Sequence, residues 1–467
     1  MSDLGNKKES LVIFHSKREM ASMNVASIAI ELIQGVLSIF IFFFYEAELG
    51  LYSILAGVGI AIYAIYDAFN DPLVGYVTDR VFKFTKKWGR RFPFIIIFFI
   101  PMLICFLLIF SPPIFIQNSQ MGLFGWLVFS TCLFDTVESF FTINFWALGP
   151  DKFRDQDERR SIATFEVYLG FIGVILSFVV PPLIIDFGVI SSYALMAWVC
   201  VGISAVCWFL MIPGVRDDQA TVNHYLANYD KEEKESFFKS LKAVLSQKNY
   251  VAFLLLYIMY QAMIQIMQAS VVYHTNFILN EEADIVTVII LMLFLGGLIS
   301  IPLWLRYTKK TGDNRKAWLI SASFMAIFAA PLTLMSNLTG VMIVIFLYGL
   351  AFGGFWVMIT PVYSDVIDES VVMSGKRREA TYGGIRQFFL NLARVIQAMT
   401  LAIVHEFTGF VEGADQQGPL ALFGIQLHFG IIPAIYMAIG VLIFWKFYDI
   451  TPEKVKENKE ILKKMQI

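Results

Sequence analysis

The sequence predicts an all-α membrane protein with twelve transmembrane helices arranged as two six-helix bundles. Three observations lead to this prediction. Of the 467 residues, 57% are hydrophobic and only 16% are charged, which is not the balance of a water-soluble domain. Apolar runs of the roughly 20 residues that span a bilayer recur along the whole chain. One wide polar stretch near the middle separates six of these runs from the other six.

The twelve apolar segments are numbered here in chain order, and several are long enough to tilt in a bilayer. They cover residues 22–45, 51–78, 92–111, 122–148, 161–185, 191–213, 249–276, 284–306, 316–335, 338–363, 379–405 and 420–447. The predicted division of the chain is therefore an N-terminal tail (1–21), a first bundle (22–213), a middle loop (214–248), a second bundle (249–447) and a C-terminal tail (448–467).

Lysine and arginine concentrate in alternate connections. They occupy the two tails and the loops 79–91, 151–160, 214–248, 306–316 and 376–378, whereas the connections between these loops hold none. Positively charged loops stay on the cytoplasmic side during insertion. We therefore expect a multi-pass protein of the cell membrane with both termini in the cytoplasm.

A faint internal repeat points to the class of protein. A short basic loop follows the second segment of each half, at 79–91 and at 306–316. Two six-helix repeats around a site near the middle of the membrane are the layout of secondary transporters. No GxxxxGK[ST], HExxH or GxSxG pattern and no Cys/His cluster occurs, so we expect no ATP-driven or enzymatic activity and no cofactor. We expect a monomer in the lipid bilayer with no nucleic-acid partner.

Segment 2 carries two acids inside the predicted membrane span, in the stretch "YDAFNDPLVGYVTDR". Asp67 and Asp71 are four residues apart and share one face of a helix. Charge inside a span costs at least ~2.5–3.5 kcal/mol at the helix centre, so it usually serves a function. Two neighbouring carboxylates in a dry site need a cation between them or a proton on one of them. We therefore predict a coupling-cation site for Na⁺ or H⁺ at Asp67 and Asp71.

Polar stripes on other segments predict a solute site. Segment 4 places Glu138, Thr142 and Trp146 at i, i+4 and i+8, and segment 1 carries Glu31. An acceptor, a hydroxyl and an indole suit a hydroxylated solute. At 1.5 Å of rise per residue, these side chains and those of segment 2 lie at overlapping depths.

The second half supplies amides and an arginine. Segment 11 places Gln387, Asn391 and Arg394 on one face, and segment 7 does the same with Gln261 and Gln265, followed by Gln268. Arg394 is expected either to bind an anionic group of the substrate or to balance the acids of the first half. The alternative for the glutamines is that they only hold membrane helices together.

Acids beside basic loops at the predicted cytoplasmic face suggest a gate. We expect ion pairs between the two halves that lock one conformation and break in the other. The residues concerned are Asp79, Arg80, Arg90, Arg91, Asp365, Asp368, Arg377 and Arg378.

Three stretches resemble a known family. "YDAFNDPLVG", "NFWALGPD" followed by "DERRSIATF", and "SDVIDE" followed by "GKRREATYGGIRQF" are similar to the glycoside–pentoside–hexuronide:cation symporters of the major facilitator superfamily, which include the melibiose permeases. The similarity runs over about residues 20 to 447. It implies a twelve-helix major facilitator fold, alternating access, and uptake of a small solute driven by Na⁺ or H⁺.

The resemblance assigns roles to five positions. Asp67 and Asp71 match the two cation-site aspartates of helix 2 in that family, and Ser139 matches a hydroxyl residue near the cation. Glu31 falls where the family has an acid on helix 1 that contacts the sugar, and we expect it at both sites. Trp146 matches the tryptophan of helix 4 that stacks on the sugar.

The chain departs from the family pattern at three substrate-site positions. Thr142 replaces an aspartate of helix 4, Val167 an arginine of helix 5, and Asn391 a lysine of helix 11. We hypothesise that Glu138 and Arg394, each about one turn away, take over these charges. These departures leave the identity of the solute open.

The leading interpretation is a cation-coupled symporter for a sugar, glycoside or related polar solute. One alternative is an organic-anion or lysolipid carrier of the same fold that uses Arg394 to hold the anion. The other is a membrane sensor that binds a solute without moving it.

Overall fold

The computed structural model describes residues 15–218, 222, 226, 241–242, 244–375 and 379–465. Within these residues it is all-helical, and twelve helices are long and apolar enough to cross a membrane. The predicted fold class is confirmed. Arg377 and Arg378 of the predicted gate lie outside the described residues.

The helices of the first half are labelled α1 to α6. They are Lys17–Phe43, Ser53–Thr78, Phe92–Ile109, Gln120–Lys152, Gln156–Val179 and Ile190–Val215. Those of the second half are α7 Lys248–Tyr273, α8 Asp284–Thr311, α9 Asn314–Ala329, α10 Leu338–Ser374, α11 Glu379–Thr408 and α12, which has two parts, Pro419–Phe429 and Ile431–Phe447. A polar helix, α13, follows at Pro452–Met465 and packs against α10.

Short irregular turns end several helices. The first helix of each half finishes in a π-helical turn, Phe44–Glu48 after α1 and His274–Leu279 after α7. A 3₁₀ turn, Ala330–Leu334, follows α9. We call the face on which α1 begins and α12 ends the inner face, and the opposite one the outer face. The distribution of basic residues predicts that the inner face is cytoplasmic.

The helices extend past several predicted segments because hydropathy detects only the part that lies in hydrocarbon. Segment 10 was expected to end at 363, but α10 continues to Ser374. Helix α5 begins earlier than residue 161, since Asp155 caps it by accepting hydrogen bonds from the N–H groups of Asp157 and Glu158 at 2.8 and 3.3 Å.

Helix α12 is interrupted at Gly430. A Cβ atom at this position would lie 2.4 Å from the backbone nitrogen of Thr333, so only glycine allows the 3₁₀ turn after α9 to pass this close. The N–H group of Ile431 donates to the Thr333 hydroxyl at 2.8 Å, which satisfies a donor that the interruption releases.

The two halves pack in the same way. In the first half α1 lies against α5 and α6, and α4 lies against α2 and α3. In the second half α7 packs on α11 and α12, and α10 packs on α8 and α9. The contacts between the halves pair α2 with α11, α5 with α8, and α1 with α7. Since α2 corresponds to α8 and α5 to α11, the first two contacts are equivalent, as expected for two repeats.

Candidate cation and solute site

The acids of α2 lie on a stretch of helix with an unusual backbone. Pro72 sits inside α2 directly after Asp71. Proline has no N–H group, so the carbonyl of Ala68, four residues earlier, lacks its helical donor. A carbonyl oxygen is thereby freed on α2 between the two predicted cation-site aspartates.

Asn70 joins α2 to α4. Its amide Nδ2 donates to Oδ2 of Asp135 at 3.0 Å and to Oγ of Ser139 at 2.9 Å. All three residues are buried, with 5%, 1% and 2% of their surfaces exposed. A buried carboxylate needs such donors, because an unsatisfied one is costly. Asp135, on α4, therefore belongs to the same cluster as the acids of α2.

Ser139 connects this cluster to Asp71. Its hydroxyl donates to Oδ1 of Asp71 at 2.8 Å while it accepts from Asn70. Asp71, Ser139 and Asp135 thus present two carboxylates and a hydroxyl in one place. Oxygen ligands of this kind are those that Na⁺ and other hard cations prefer.

Asp67 is paired with the other half of the protein. Nη1 of Arg394, on α11, donates to Oδ2 of Asp67 at 3.0 Å. The guanidinium also lies 4.9 Å from the centre of the Tyr63 ring on α2. Of the two expectations for Arg394, the structure shows the one in which it balances an acid of the first half.

Glu138 lies one turn from Asp135 and faces α1. Its Oε1 accepts a hydrogen bond from Nε2 of Gln34 at 2.9 Å. Gln34 and Arg394 line the same narrow space, together with Ser38, Gln265 and Gln397. Polar groups from α1, α2, α4, α7 and α11 therefore meet between the halves.

A larger cavity of about 560 Å³ adjoins this space. Ser38 and Gln265 line both, so the two spaces are neighbours separated by these side chains. Its polar lining comes from Glu31 of α1 and from Gln261 and Gln268 of α7. Aromatic rings of α7 and α10 also line it, namely Tyr257, Tyr260, Tyr348 and Trp356. A volume of this size is typical of a site for a small molecule.

Glu31 lines the larger cavity rather than the cluster around Asp71. It packs against Gly173 of α5, and its described surroundings do not include Asp67 or Asp71. The expectation that Glu31 serves both sites is therefore not supported by its position. Its place in the larger cavity is the one that the resemblance implied for a substrate contact.

Trp146 occupies a different pocket from the one expected. It is 40% exposed and lines a cavity of about 400 Å³ near the inner face, with Met23, Arg159 and Glu166. Residues four apart turn by about 40° around a helix, so Trp146 is turned by about 80° and displaced by about 12 Å from Glu138. Thr142, between them, donates to the Glu138 carbonyl at 2.9 Å. The expected stripe therefore does not line one cavity.

Segment 11 is also less uniform than expected. Gln387 is exposed and Asn391 is buried, and neither lines the two neighbouring cavities described above. Gln397, three residues after Arg394, lines the narrow space instead. The polar face of α11 at this depth is thus formed by Arg394 and Gln397.

The described gate residues pair within one half. Arg90 contacts Asp151 at 2.9 Å and Asp79 at 3.7 Å, and Arg91 contacts the same two acids at 3.5 and 3.0 Å. Arg91 also donates to Asn144 at 3.1 Å, and its burial lowers the pKa of its guanidinium. These four ion pairs lie inside the first bundle, where the ends of α2 and α4 meet the start of α3. Ion pairs of the same residues with the other half stay a prediction.

Two of the remaining gate residues, Asp365 and Arg80, have described contacts within their own half. Asp365 accepts a hydrogen bond from Asn314 at 3.2 Å, and both belong to the second half. Arg80, two residues beyond the end of α2, lies 4.6 Å from the centre of the Tyr76 ring on that helix. Asp368 lies on α10. A connection between the halves through these residues stays a prediction.

Three uncharged residues of the site were not predicted from the sequence. Asn70 bridges Asp135 and Ser139 of α4, Gln34 holds Glu138, and Tyr63 lies against Arg394. Asn70 stands inside the "NDP" stretch that drew attention to Asp71. Its position, one residue from the acid, was the available signal.

Comparison with known proteins decides the family. A sequence profile of the MFS/sugar transport protein family matches residues 22–452. The chain belongs to this family. Its members are transporters, and the twelve-helix architecture agrees with that class.

Curated relatives are distant but cover most of the chain. The sodium-dependent lysophosphatidylcholine symporter 1 of Gallus gallus is 22% identical over 86% of this chain and 80% of its own length. The uncharacterized symporter YjmB of Bacillus subtilis is 24% identical over 89% of this chain and 88% of its own. Among solved structures, the nucleoside transporter NupG aligns with a TM-score of 0.61 and 15% identity over 92% of this chain and 99% of its own, which supports the fold.

Proposed function

We propose that the protein is a Na⁺-coupled symporter of the membrane that works by alternating access. The observation that carries the proposal is the buried cluster of Asp71, Ser139, Asn70 and Asp135 between α2 and α4. Charged acids inside a membrane span are energetically costly. The described hydrogen-bond donors of this cluster are neutral amide and hydroxyl groups, so they do not balance the negative charge of its two carboxylates. A bound monovalent cation balances that charge.

Sodium is the coupling ion that we favour. Several curated relatives are named sodium-dependent symporters, and carboxylate, hydroxyl and free carbonyl oxygens are suitable ligands for Na⁺. Asp71, Ser139 and the carbonyl of Ala68 would form one side of the site. Asp67 would complete it on the same face of α2.

Arg394 and the cation are alternative partners of Asp67. In the structure the guanidinium of Arg394 holds Asp67. Binding of Na⁺ at Asp67 and Asp71 would release Arg394, which belongs to the other half. The ion would thereby change a contact between α2 and α11, the pair of helices that must move when the halves rock. This exchange couples ion binding to conformation.

We place the solute in the 560 Å³ cavity. Glu31 and the glutamines Gln261, Gln265 and Gln268 offer acceptors and donors for hydroxyl groups, and the nearby rings offer faces for apolar C–H surface. This combination suits a sugar or glycoside. The narrow space lined by Arg394 and Gln265 links this solute to the cation cluster.

A second candidate solute is a lysophospholipid. Apart from the groups just named, most of the lining is aliphatic or aromatic, and Phe178, Leu293, Phe294 and Phe352 are examples. An acyl chain would be accommodated by such walls. The similarity to relatives that are named lysophosphatidylcholine symporters also supports this candidate.

Uptake into proteoliposomes tests both the Na⁺ coupling and the identity of the solute. The purified protein would be offered labelled glycosides, hexuronates and lysophosphatidylcholine, with an inward Na⁺ gradient, an inward H⁺ gradient or neither. We expect accumulation of one class with Na⁺ only, and loss of accumulation in Asp71→Asn. Asp284→Asn, an exposed acid at the start of α8, is the matched control and should transport normally. Binding without gradient-driven accumulation would contradict symport.

A further inference from the structure

A buried chain of titratable groups joins the halves at the outer face, away from the cation cluster. Glu46, in the π-helical turn after α1, accepts hydrogen bonds from the Tyr273 hydroxyl of α7 and from Nδ1 of His405 of α11. Nε2 of His405 lies 3.0 Å from Nε2 of His428 on α12. All four residues are fully buried, with 0% of their surfaces exposed. We call these residues the outer cluster.

The Ser270 hydroxyl lies at one end of the outer cluster. It is 2.6 Å from the Ile266 carbonyl, 3.0 Å from the His428 carbonyl and 2.6 Å from Nδ1 of His428. Its single proton serves one of these acceptors, so hydrogen-bond geometry alone does not fix the direction of the bond between Ser270 and His428. The charge of the buried groups decides where the cluster holds a proton.

Charge balance places one additional proton on the pair of Glu46 and His405. Nδ1 of His405 faces the carboxylate of Glu46, and its Nε2 faces His428. Both residues are fully buried, so an unbalanced carboxylate would be costly. An imidazole with both nitrogens protonated is a cation that balances the carboxylate, and a proton on Glu46 removes the charge instead. Either arrangement holds the same single proton.

The surrounding titratable groups are engaged elsewhere. Glu48 on the same π-helical turn accepts from Tyr193 of α6 and from the N–H group of Gly188. Glu412, after α11, accepts from Ser53 at the start of α2. His274 bonds to the Met335 carbonyl.

No lysine or arginine within the described part of the chain forms an ion pair with Glu46. His405 is therefore the cationic partner that the structure gives this carboxylate.

We propose that the outer cluster is a proton-binding site, and that closing the outer face takes up one proton at Glu46 and His405. Glu46 belongs to the first half, whereas Tyr273, His405 and His428 belong to the second, so opening the outer face must break the bonds to Glu46. Once water reaches the pair, its charges are solvated separately, and an imidazole in water gives up its proton above about pH 6.5.

A second observation supports a role in gating. The residues of α1 and α7 in the cluster lie at or beside the two π-helical turns that end the first helix of each half. Such turns are rare and occur frequently at functional sites. Phe43 packs on Tyr273 and on Phe277 across the same junction, at 4.8 and 6.3 Å between ring centres. Equivalent elements of the two halves therefore meet at the proton site.

The test measures the outer face directly and needs no substrate. Spin labels would be attached to Asn118→Cys and Glu282→Cys, exposed positions in outer loops of different halves, after the four native cysteines are replaced. Pulsed electron spin resonance then gives the distribution of distances between about pH 6 and about pH 8.5. We expect the short-distance, closed population to fall as pH rises. One proton limits the change in the closed-to-open ratio to about tenfold per pH unit.

Four variants decide the assignment. Glu46→Gln and His405→Gln should both lose the pH dependence and favour the long distance. Glu48→Gln, two residues away and bonded within the first half, should behave like the parent. Tyr273→Phe removes a donor but keeps the proton pair, so the closed population should fall at each pH with an unchanged slope. A pH-independent parent, an unchanged titration in Glu46→Gln and His405→Gln, or an unaffected closed population in Tyr273→Phe would overturn the proposal.

Discussion

Arg394 of α11 and Asp67 of α2 form a hydrogen-bonded ion pair, with Nη1 and Oδ2 separated by 3.0 Å. The two residues belong to different halves, and their side chains are only 24% and 14% exposed. The pair lies next to the cluster of Asp71, Ser139 and Asp135, so it connects the proposed ion site to the interface that must rearrange during transport. Because only Asp67 has this partner, substitutions of Asp67 and Asp71 should have different effects.

The two aspartates of α2 should differ in their effect on stability. Asp67→Asn leaves the Arg394 guanidinium without its carboxylate, which should lower the free energy of unfolding by about 2 kcal/mol or more. Asp71→Asn keeps an acceptor for the Ser139 hydroxyl and removes a charge that lacks a counter-ion, so its effect should be small. Thermal unfolding in detergent without Na⁺ measures both. Equal destabilisation by the two variants would contradict the pairing, and Asp67→Asn combined with Arg394→Gln should recover part of the loss.

Asn70 should be needed for both the fold and the ion. Asn70→Ala removes the donor that satisfies Asp135 and Ser139, and an unsatisfied buried acceptor costs about 1–3 kcal/mol. The stabilisation that added Na⁺ gives to the parent protein should also shrink, because Ser139 is no longer held beside Asp71. Melting curves with Na⁺ and with K⁺ provide both readouts. Asn118→Ala, at an exposed position, serves as the control, and a Na⁺ response of Asn70→Ala that equals that of the control would be evidence against this role.

Close packing of α2 on α11 should limit substitutions at Gly57. A Cβ atom there would lie 2.4 Å from Cβ of Ala402 and 3.0 Å from the Ala398 carbonyl, so Gly57→Ala should push the halves apart and reduce transport. Ala402→Gly in the same chain removes the closest of these atoms and should restore part of the activity. Gly75→Ala, on the same helix with nothing within 4 Å, is the control. Failure of Ala402→Gly to improve Gly57→Ala would exclude the proposed clash.

Asp217, at the inner face beyond α6, should make stability depend on pH. Burial raises the pKa of its carboxyl from 3.8 to about 6, although the N–H groups of Phe92 and Arg91 partly oppose this. A raised pKa means that the folded state binds the proton more tightly. The stabilisation from this group is therefore complete below about pH 4 and disappears as pH rises through about 6. Relative to Asp217→Asn, the parent protein should thus gain about 1–2 kcal/mol between pH 7 and pH 4. Chemical unfolding of both proteins measures this. The prediction is wrong if the difference in the free energy of unfolding between the parent and Asp217→Asn is the same at pH 4 and at pH 7.

The sequence predicted the elements of the site better than its contacts. Twelve helices and the acids of α2 followed from hydropathy and from the cost of charge in a membrane. The bond between Ser139 and Asp71 agrees with the position that the family resemblance assigned to Ser139. The roles of these residues stay proposals until ion binding is measured.

The failures have physical causes. Trp146 was grouped with Glu138 by spacing, but the stripe turns around the helix toward the inner pocket. The described ion pairs of Arg90 and Arg91 lie within the first half, because charge pattern alone does not indicate which neighbouring helix end lies nearest. The outer cluster was missed because Glu46 and His405 are far apart in the chain and become neighbours only when the halves pack together.

Direct binding of radioactive Na⁺ to the purified protein tests the central claim without knowledge of the solute. We expect saturable binding of one ion per protein, lost in Asp71→Asn and retained in Asp284→Asn. In Arg394→Gln the ion should bind more tightly, because the guanidinium no longer competes for Asp67. Na⁺ binding that persists unchanged in Asp71→Asn, or that is absent from the parent protein, would contradict the assignment of the ion site and with it the proposed coupling.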